Sequence, residues 1–558
     1  MGLLTKKLLA NRGIKDEEDI EKFLYPDYDK HLHDPFLFTD MDKAAERILI
    51  AVRNKEKIIL YTDYDTDGIP AGVLLHDFFK EIGHSNFENY IPHRNDEGYG
   101  LNQNAIELFQ RNGARLIITA DCGITDIEEI SHAQKNGIDV IVTDHHLPLQ
   151  DEFGSEILPN AYAVINPKRK GERYPFQMLC GAGVAFKLVQ AVLSAGREAG
   201  DFQVPPGREK WFLDMVAIAT ISDRVPLVGE NRVLAYYGLK VLRKSPRWGL
   251  RKLFQKTFTD QSRLTEEDVG FIIGPRINVA SRIDTPWKAF RLLVTNDPLE
   301  AEELVLEVNA LNERRKGIVA GMLKEAKRKI NAGNLGEIIL LGNINWHPGA
   351  VGLAAQTLIQ EYNRPVFLWG RGEGSVLKGS CRSDGAVNVV ELMNFARDIL
   401  LDFGGHEGSG GFSVAPEKLH LLEEKLIYAY RLIKKEKTKE EKQNTDKELA
   451  LSEINKEMLD EIEALAPFGE GNPRPLFLLR DISISDVQSF GRDKKHLKLL
   501  VGHSNCASIP AIKFFSDSSA VNNLLENETN IMLKAHVERD MFRNAHGLRL
   551  RIVEIESA

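Results

Sequence analysis

Only four cysteines occur in 558 residues, Cys122, Cys180, Cys381 and Cys506, and they form neither a CxxC pair nor a regular ladder. This excludes a thiolate zinc site and a disulfide scaffold, and suits a reducing compartment. No run of about 18 apolar residues is present, so no membrane span is expected. The segment from Met1 to Lys7 has neither the longer apolar core nor the small-residue cleavage site of a signal peptide, and a cytoplasmic protein is expected. A basic excess is also missing. The net charge of -9 argues against coating nucleic acid by bulk electrostatics but is compatible with a local basic channel. What remains is an ordinary globular composition, 43% apolar and 27% charged, in a chain long enough for about three or four domains.

The chemistry is expected to centre on the stretch Tyr61-Thr-Asp-Tyr-Asp-Thr-Asp-Gly-Ile-Pro-Ala-Gly72. Lys57 to Leu60 reads as the end of a buried strand. Asp63, Asp65 and Asp67 alternate, and alternate side chains of an extended segment share a face, so three carboxylates would crowd at one strand end. Such crowding is costly unless a positive charge sits among them. A calcium loop of the EF-hand kind needs Glu at its twelfth position, which here is Leu74, and is rejected. Two readings stand at this point: an Asp/Gly-rich turn, or a divalent-metal site that needs further ligands downstream.

Candidate ligands follow. Leu116 to Thr119 predicts a strand ending at Asp121-Cys122-Gly123, and Ile127 to Asn136 a helix. Asp139 to Thr143 predicts a strand ending at Asp144-His145-His146, and Asp223 closes the run Met215 to Ile221, which fits helix or strand. Alternating strands and helices predict a parallel α/β sheet, whose ligands collect at the carboxyl ends of its strands. One acid there is a plausible helix cap; four such coincidences favour a metal site. Carboxylates with one or two imidazoles fit Mn²⁺ or Mg²⁺ better than Zn²⁺, and the histidines tilt the choice to Mn²⁺. Five or six candidates exceed what one ion needs, and two ions about 3.5 to 4 Å apart are the usual arrangement for phosphoester hydrolysis.

These motifs, in this order, resemble the DHH phosphoesterase superfamily. Ile91-Pro-His-Arg-Asn-Asp-Glu-Gly-Tyr-Gly-Leu101, Gly181-Ala-Gly-Val-Ala-Phe-Lys187 and Ile273-Gly-Pro-Arg-Ile-Asn278 narrow the resemblance to its RecJ family of single-strand-specific DNA exonucleases. It implies two Mn²⁺ ions, with Mg²⁺ as a substitute, held by Asp63, Asp65, Asp121, His145 and Asp223. Asp67 and Asp144 would be additional or supporting carboxylates, and His146 would lie near the scissile phosphate. Phosphates would meet Arg94, Arg276, Asn278, Ser380, Arg382, Ser383, Gly405 and His406. The implied activity is 5′-to-3′ hydrolysis of single-stranded DNA by a monomer in recombination and repair, with a helicase or a single-strand-binding protein as candidate partners. The alternative is a DHH phosphodiesterase acting on short oligoribonucleotides or cyclic nucleotides, and a catalytically dead scaffold is a third reading that the intact ligand set disfavours. Cys122, Arg224, Ser281 and Glu407-Gly408-Ser409 depart from the usual motifs without removing a ligand.

The expected fold is α/β, with two parallel-sheet modules joined by a long helix and followed by a small β-barrel of the oligonucleotide-binding (OB) kind. A helical lead-in is expected over 1–45, the catalytic module over 46–297 and the connecting helix over 298–331. The second module, over 332–430, resembles the DHH-associated domain; its Gly379-Ser-Cys-Arg-Ser383 and Phe403-Gly-Gly-His406 segments offer close backbone N–H donors, a guanidinium fork and a neutralising charge. His347 is read as structural. A charged linker over 431–450 leads to the barrel domain at 451–558, with five strand-like runs. There, Lys494, Lys495, His496, Lys498, Lys513, Phe514, Phe515, Phe542 and Arg543 offer charge and stacking surfaces for single strands. Basic clusters at 168–173, 243–252 and 314–316 are each read as solvated faces when judged alone.

Overall fold

The computed structural model describes residues 2–557 apart from 95, 334, 373–375, 435–444, 492–495, 504–505, 517–530 and 541–546. Its contacts divide the chain into two compact units: His33–Asp223 with Tyr237–Thr438, and Met1–Leu32 with Arg224–Tyr236 and Lys439–Ala558.

The larger unit begins with a five-stranded sheet. Its strands are β1 (Lys57–Thr62), β2 (Phe87–Tyr90), β3 (Ala114–Ala120), β4 (Asp139–Thr143) and β5 (Ala163–Ile165), in the order β2-β1-β3-β4-β5, and every pair is parallel. Parallel strands covered by helices on both faces read as continuous apolar runs, and Ile58 to Tyr61 and Leu116 to Ile118 are fully buried. Helices Gly68–Glu81, Gly181–Ala199 and Leu213–Ser222 pack against one another behind the site. The run before Asp223 is therefore helical. β5 has no counterpart among the predicted strands, because three residues are too few to show a pattern.

The helix Pro298–Ala332 has 35 residues and spans about 50 Å at 1.5 Å per residue. The Asp297 side chain accepts Leu299 N at its start, and Pro298 sits where a missing N–H costs nothing. Its distal end is tied to the second module: Glu325 accepts from Asn343 Nδ2 (2.7 Å) and Trp346 Nε1 (2.9 Å). His347 caps the helix Pro348–Tyr362 by accepting Gly349 N (3.1 Å), in keeping with its structural reading.

Where the sequence predicts a second parallel sheet, the second sheet is mixed. Strands β6 (Ile339–Gly342), β7 (Val366–Arg371), β8 (Leu377–Arg382), β9 (Leu400–His406) and β10 (Ser409–Val414) lie in the order β9-β10-β8-β7-β6, and only β6 and β7 run parallel. The physical reason is connection length. Only β6 and β7 are joined through a long helix, whereas β9 and β10 are joined by two residues, which permits antiparallel pairing alone. The Ser380–Arg382 and Gly404–His406 segments are consequently strand residues rather than loops.

In the smaller unit, β11 (Phe477–Phe490), β12 (His496–His503), β13 (Cys506–Lys513), β14 (Ile531–Asp540) and β15 (Gly547–Ser557) pair successively as β11-β12-β13-β15-β14, and β11 also pairs with β14, giving an OB-like arrangement. The strand Lys447–Leu449, within the stretch expected to be a charged linker over 431–450, pairs parallel to β11 as a sixth member, because its three residues are too few to show a strand pattern. Its core takes in residues far away in sequence. Leu8, Leu9 and Phe23 are buried with Leu465, Phe477 and Leu533. Thr5 N and Oγ1 donate to Glu461 Oε2 (3.0 and 2.9 Å), and Arg12 Nε donates to Asn472 Oδ1 (2.9 Å). Arg232, buried, stacks 3.6 Å from the Phe23 ring centroid and donates to Phe23 O (2.7 Å) and Ala466 O (2.9 Å).

Arg232→Ala strands the buried Phe23 carbonyl and loses the bond to Ala466 O, at a cost of about 2 kcal/mol or more. Calorimetry is expected to show a lowered transition for this unit, and Arg232→Lys is not expected to restore it, because an ammonium lacks the planar fork.

Candidate metal centre and active site

Strand register builds the first part of the site. Thr62 stands opposite Ala120, Ala120 opposite Thr143, and Thr143 opposite Ile165. The next residues are Asp63, Asp121, Asp144 and Asn166, and backbone bonds carry the ladder one step further: Asp63 N to Ala120 O (3.3 Å), Asp121 N to Thr143 O (3.0 Å) and Asp144 N to Ile165 O (3.1 Å). Parallel pairing thus sets three acids and one amide in a row. The strand order reverses between β1 and β3, the switch point at which open α/β sheets bind ligands.

The helices supply the rest. Asp65 Oδ1 accepts Asp67 N (2.7 Å) and Gly68 N (3.2 Å), closing the turn into helix Gly68–Glu81. Asp67 reaches across to another helix and accepts Gly181 N (2.6 Å) and Ala182 N (2.7 Å). Gly181 is required there, since a Cβ on it would lie 2.6 Å from that of Asp121. Asp223, at the end of helix Leu213–Ser222, completes the set. Ligand atoms of three overlapping groups lie within 4.8 Å of one another: Asp63, Asp65 and Asp121; Asp121, His145 and His146; Asp67, His145 and Asp223.

Four observations show that this donor set fits divalent cations. His145 Nδ1 lies 3.1 Å from Leu179 O, which can only accept, so the proton is on Nδ1. Nε2 then turns its lone pair toward Asp121 Oδ1 (3.2 Å), Asp67 Oδ2 (3.6 Å) and Asp223 Oδ2 (3.8 Å), the arrangement of a metal-binding imidazole. Asp63 Oδ1 and Asp121 Oδ1 are buried without a hydrogen bond. Burial, and then the neighbouring carboxylates, push Asp63 and Asp121 well above the ordinary carboxyl range, Asp67 to about 6 and Asp223 to about 8.

The two histidines differ. Burial and the charge of His146 push His145 down to about 3, which keeps it neutral. Burial acts the same way on His146, but the hydrogen bond to Asp144 Oδ1 (2.8 Å) and that residue's charge outweigh it and raise His146 to about 9. Burial would raise Asp144, yet His146 overrides it and the carboxyl lies below its ordinary range. Asp144 also accepts Ile124 N (3.0 Å), His145 N (2.7 Å) and His146 N (3.1 Å), so it organises the turn.

A cationic group lies beside Asp65. Arg282 is brought down to about 10, first by burial and then by the charge of Arg94, with Arg382 and Arg315 adding to it against Asp65. The Arg94 guanidinium stacks 4.9 Å from the Tyr64 ring centroid. Arg282 was not singled out from the sequence. Its signal is helical spacing: Asn278 and Arg282 are four apart and share a face of helix Gly274–Ile283, whereas Arg276 is two off that face. Asn278 Nδ2 meets Thr66 Oγ1 (3.0 Å) in the acidic loop, and its Oδ1 is buried without a partner. Arg276 is directed elsewhere, donating to Asn309 Oδ1 (2.9 Å) and Ile272 O (2.9 Å).

The second module contributes Ser380, Arg382 and His406. Arg382 Nη2 and Ser380 Oγ would lie 3.2 and 3.3 Å from a Cβ on Gly352, so a small residue leaves both room. Partial burial, and then the charges of His146 and Lys168, lower His406. Gly405, at φ +143, lets β9 approach Ser409 O closely. Ser383 is engaged in its own turn, donating to Val387 O and accepting Gly385 N (3.0 Å). Lys168, beside Asn166, feels Asp223, Asp144, Asp67 and Asp121, while burial lowers it overall.

Several other basic residues are paired. Arg247 bonds Asp214 (2.7 Å) and Asp77 (2.6 Å), Lys252 bonds Glu302 (2.7 Å), Lys316 bonds Glu313 (2.7 Å) and Arg169 bonds Asp40 (2.9 Å). On the barrel, Phe490, His496, Phe514 and Phe515 form a ring cluster with centroids 5.0 to 6.4 Å apart. Lys513 donates to Val553 O (2.7 Å). Lys494, Lys495, Phe542 and Arg543 lie outside the described residues. Of the departures from the motifs, Cys122 and Ser281 are fully buried, and Arg224 is exposed and 3.7 Å from Glu470.

Comparison with known proteins agrees with this geometry. Residues 57–220 match the model of the DHH family, N-terminal domain, residues 335–431 that of the DHHA1 domain, and residues 445–554 that of the RecJ OB domain. The chain is 37% identical over 501 residues to the single-stranded-DNA-specific exonuclease RecJ of Bacillus subtilis, covering 89% of this chain but only 61% of that protein, which is under two thirds of its length. It is 30% identical over 571 residues to the protein of the same name from Haemophilus influenzae, covering 99% of this chain and 96% of that one. The crystal structure of RecJ in complex with Mn²⁺ from Thermus thermophilus superposes with a TM-score of 0.79 at 26% identity, covering 100% of this chain and 76% of that one. From the row of acids, the three domain matches and similarity over nearly its whole length, the chain belongs to the RecJ family of DHH phosphoesterases.

Proposed function

We propose that this protein is a divalent-metal-dependent exonuclease specific for single-stranded DNA, hydrolysing phosphodiester bonds 5′ to 3′ in recombination and repair. The observation that carries this reading is the row Asp63, Asp121 and Asp144 at the sheet's switch point, joined by His145 and Asp223, with two buried carboxylate oxygens left without hydrogen bonds. Polarity, a cytoplasmic location, and helicase or single-strand-binding partners belong to the same proposal and rest on family resemblance. No described helix is long and apolar enough to cross a membrane.

In this mechanism Asp63, Asp65, Asp121, His145 and Asp223 would hold two Mn²⁺ ions, or Mg²⁺ in their place, and Asp67 joins them while anchoring Gly181. When bound, such ions neutralise phosphate charge and lower the pKa of an attacking water. Asp144 holds His146 at the edge of the acidic cluster, where a cationic imidazole meets charge developing on the scissile phosphate. Arg94, Arg282, Ser380 and Arg382 form a polar, cationic group that would hold a neighbouring or terminal phosphate. The ring cluster of the barrel offers stacking faces to bases.

A digest of long single strands against blunt duplexes, labelled at the 5′ or the 3′ end, tests the whole reading. Release from 5′-labelled single strands in Mn²⁺, and none in EDTA, is expected; turnover confined to dinucleotides or cyclic dinucleotides would instead favour a small-substrate phosphodiesterase. Asp121→Ala is expected to abolish nuclease activity while leaving the thermal melt broadly intact, and turnover retained in Mn²⁺ would remove Asp121 from the mechanism. Cation binding must displace protons from carboxyls whose pKa is raised, so affinity is expected to rise with pH between about 6 and about 8, the window set by Asp67 and Asp223. Calorimetric titration of Mn²⁺ in two buffers of different ionisation enthalpy checks this, since equal heats would mean that no proton is released.

A further inference from the structure

Tyr99 stands beside the acidic row in a position that its neighbours determine closely. Gly98 and Gly100 flank it at φ +84 and +83, left-handed values that bulkier residues resist. A Cβ on Gly100 would lie 2.5 Å from Asp126 Oδ1. Beneath the segment, Asp126 Oδ2 accepts Leu101 N (2.8 Å), the buried Tyr61 hydroxyl donates to Gly100 O (2.7 Å), and Glu97 accepts His93 N (2.6 Å) and Asn102 Nδ2 (3.1 Å). Groups from β1 and from the loop after β3 therefore hold the backbone just after Tyr99, and Glu97 ties the loop together before it.

The phenol oxygen has two polar neighbours, Asp121 O (3.1 Å) and His146 Nδ1 (3.1 Å). A hydroxyl carries one hydrogen, and a backbone carbonyl can only accept, so that hydrogen goes to Asp121 O. The oxygen's lone pair is then left for His146 Nδ1–H, which Asp144 Oδ1 also approaches at 2.8 Å. The imidazole is thus gripped at Nδ1 by two acceptors from different segments, and the ring edges of Tyr99 and His146 meet at a centroid distance of 5.7 Å.

We infer that Tyr99 is a positioning residue for His146: its hydroxyl, oriented by the Asp121 carbonyl, accepts from Nδ1–H and fixes the ring's direction, leaving the Nε2 side for substrate. The inference rests on the role proposed above for His146, since orientation matters to turnover only if that ring acts on the phosphate. Asp144 alone leaves the ring free to swing about a single hydrogen bond; the second acceptor removes that freedom. A base able to hold one ring nitrogen in its N–H form is what a histidine acting through its other nitrogen needs.

Tyr99→Phe removes the hydroxyl and keeps the ring. It is expected to lower kcat on single-stranded DNA about tenfold, a fraction of what a positioned acid–base group supplies, with KM within about twofold and the thermal melt unchanged. In a His146→Ala background the same change is expected to add nothing, because the two side chains act as one unit. Wild-type kcat in Tyr99→Phe, or an undiminished further loss in the His146→Ala background, would overturn the inference. Weakened Mn²⁺ binding in Tyr99→Phe would overturn it as well, by placing the effect in Asp121. A measurement independent of turnover separates this inference from the proposed activity: in metal-free protein carrying ¹⁵N-histidine, the Nδ1 resonance that disappears in His146→Ala is expected to shift in Tyr99→Phe. An unshifted resonance refutes the contact whether or not the protein cuts DNA, and a shifted one sustains it even if the nuclease assay fails.

Discussion

Carboxylates of like charge cannot be buried side by side without something positive among them, and this constraint organises the larger unit. Parallel register places Asp63, Asp121 and Asp144 on adjacent strand ends, and the helices bring Asp67 and Asp223 to the same place. Left alone, the cluster holds protons, as the raised Asp67 and Asp223 carboxyls indicate. A neutral His145, its lone pair aimed at three carboxylates, makes the arrangement sensible only around cations. The surroundings consistently serve that end: Gly181 clears space for Asp121, while Asp144 fixes the turn that carries both histidines.

Opposite charge is gathered beside the acids, at Asp65. Arg94 and Arg382 both lie within electrostatic reach of Arg282, whose charged form is disfavoured first by burial and then by these neighbours. Such a group is costly without an anion to meet it, just as the acids are costly without a cation. The two requirements are complementary, and a phosphodiester bridging cations and guanidiniums answers both. The long helix Pro298–Ala332, tied through Glu325 to Asn343 and Trp346, gives the second module a rigid attachment within the same unit. In the smaller unit the first helices of the chain share a core with the barrel, and Arg232 of the Arg224–Tyr236 segment joins Phe23 to Ala466 O, so residues nearly the whole chain apart in sequence fold together.

Much of the site was legible because its chemistry follows strand ends. Apolar runs ending in Asp121 and in Asp144-His145-His146 announced a parallel sheet and the edge where ligands gather. Asp223 was legible as a candidate although its run was ambiguous between helix and strand. Other residues left weaker traces. Arg282 could have been found from its four-residue spacing to Asn278, and Arg276, two residues off that face, is held by Asn309 instead. Asn166 follows a three-residue strand with no discernible pattern, and Tyr99 sits in a loop whose glycines signal a turn without saying what it faces. The antiparallel half of the second sheet was hidden because short glycine-rich strands look like loops.

Residue type and local order were enough to specify the donor chemistry, the alternation of strand and helix, and the sequence of modules, since these depend on periodicity and on what each side chain can bind. Pairings between distant segments were not specified in that way. Which strand lies beside which, that Asp67 reaches Gly181, that His145 Nδ1–H donates to Leu179 O, and that Arg12 and Phe23 join the barrel are all set by contacts across tens to hundreds of residues. Such contacts leave no local pattern, because each partner satisfies only its own backbone and burial requirements until the chain has closed around them.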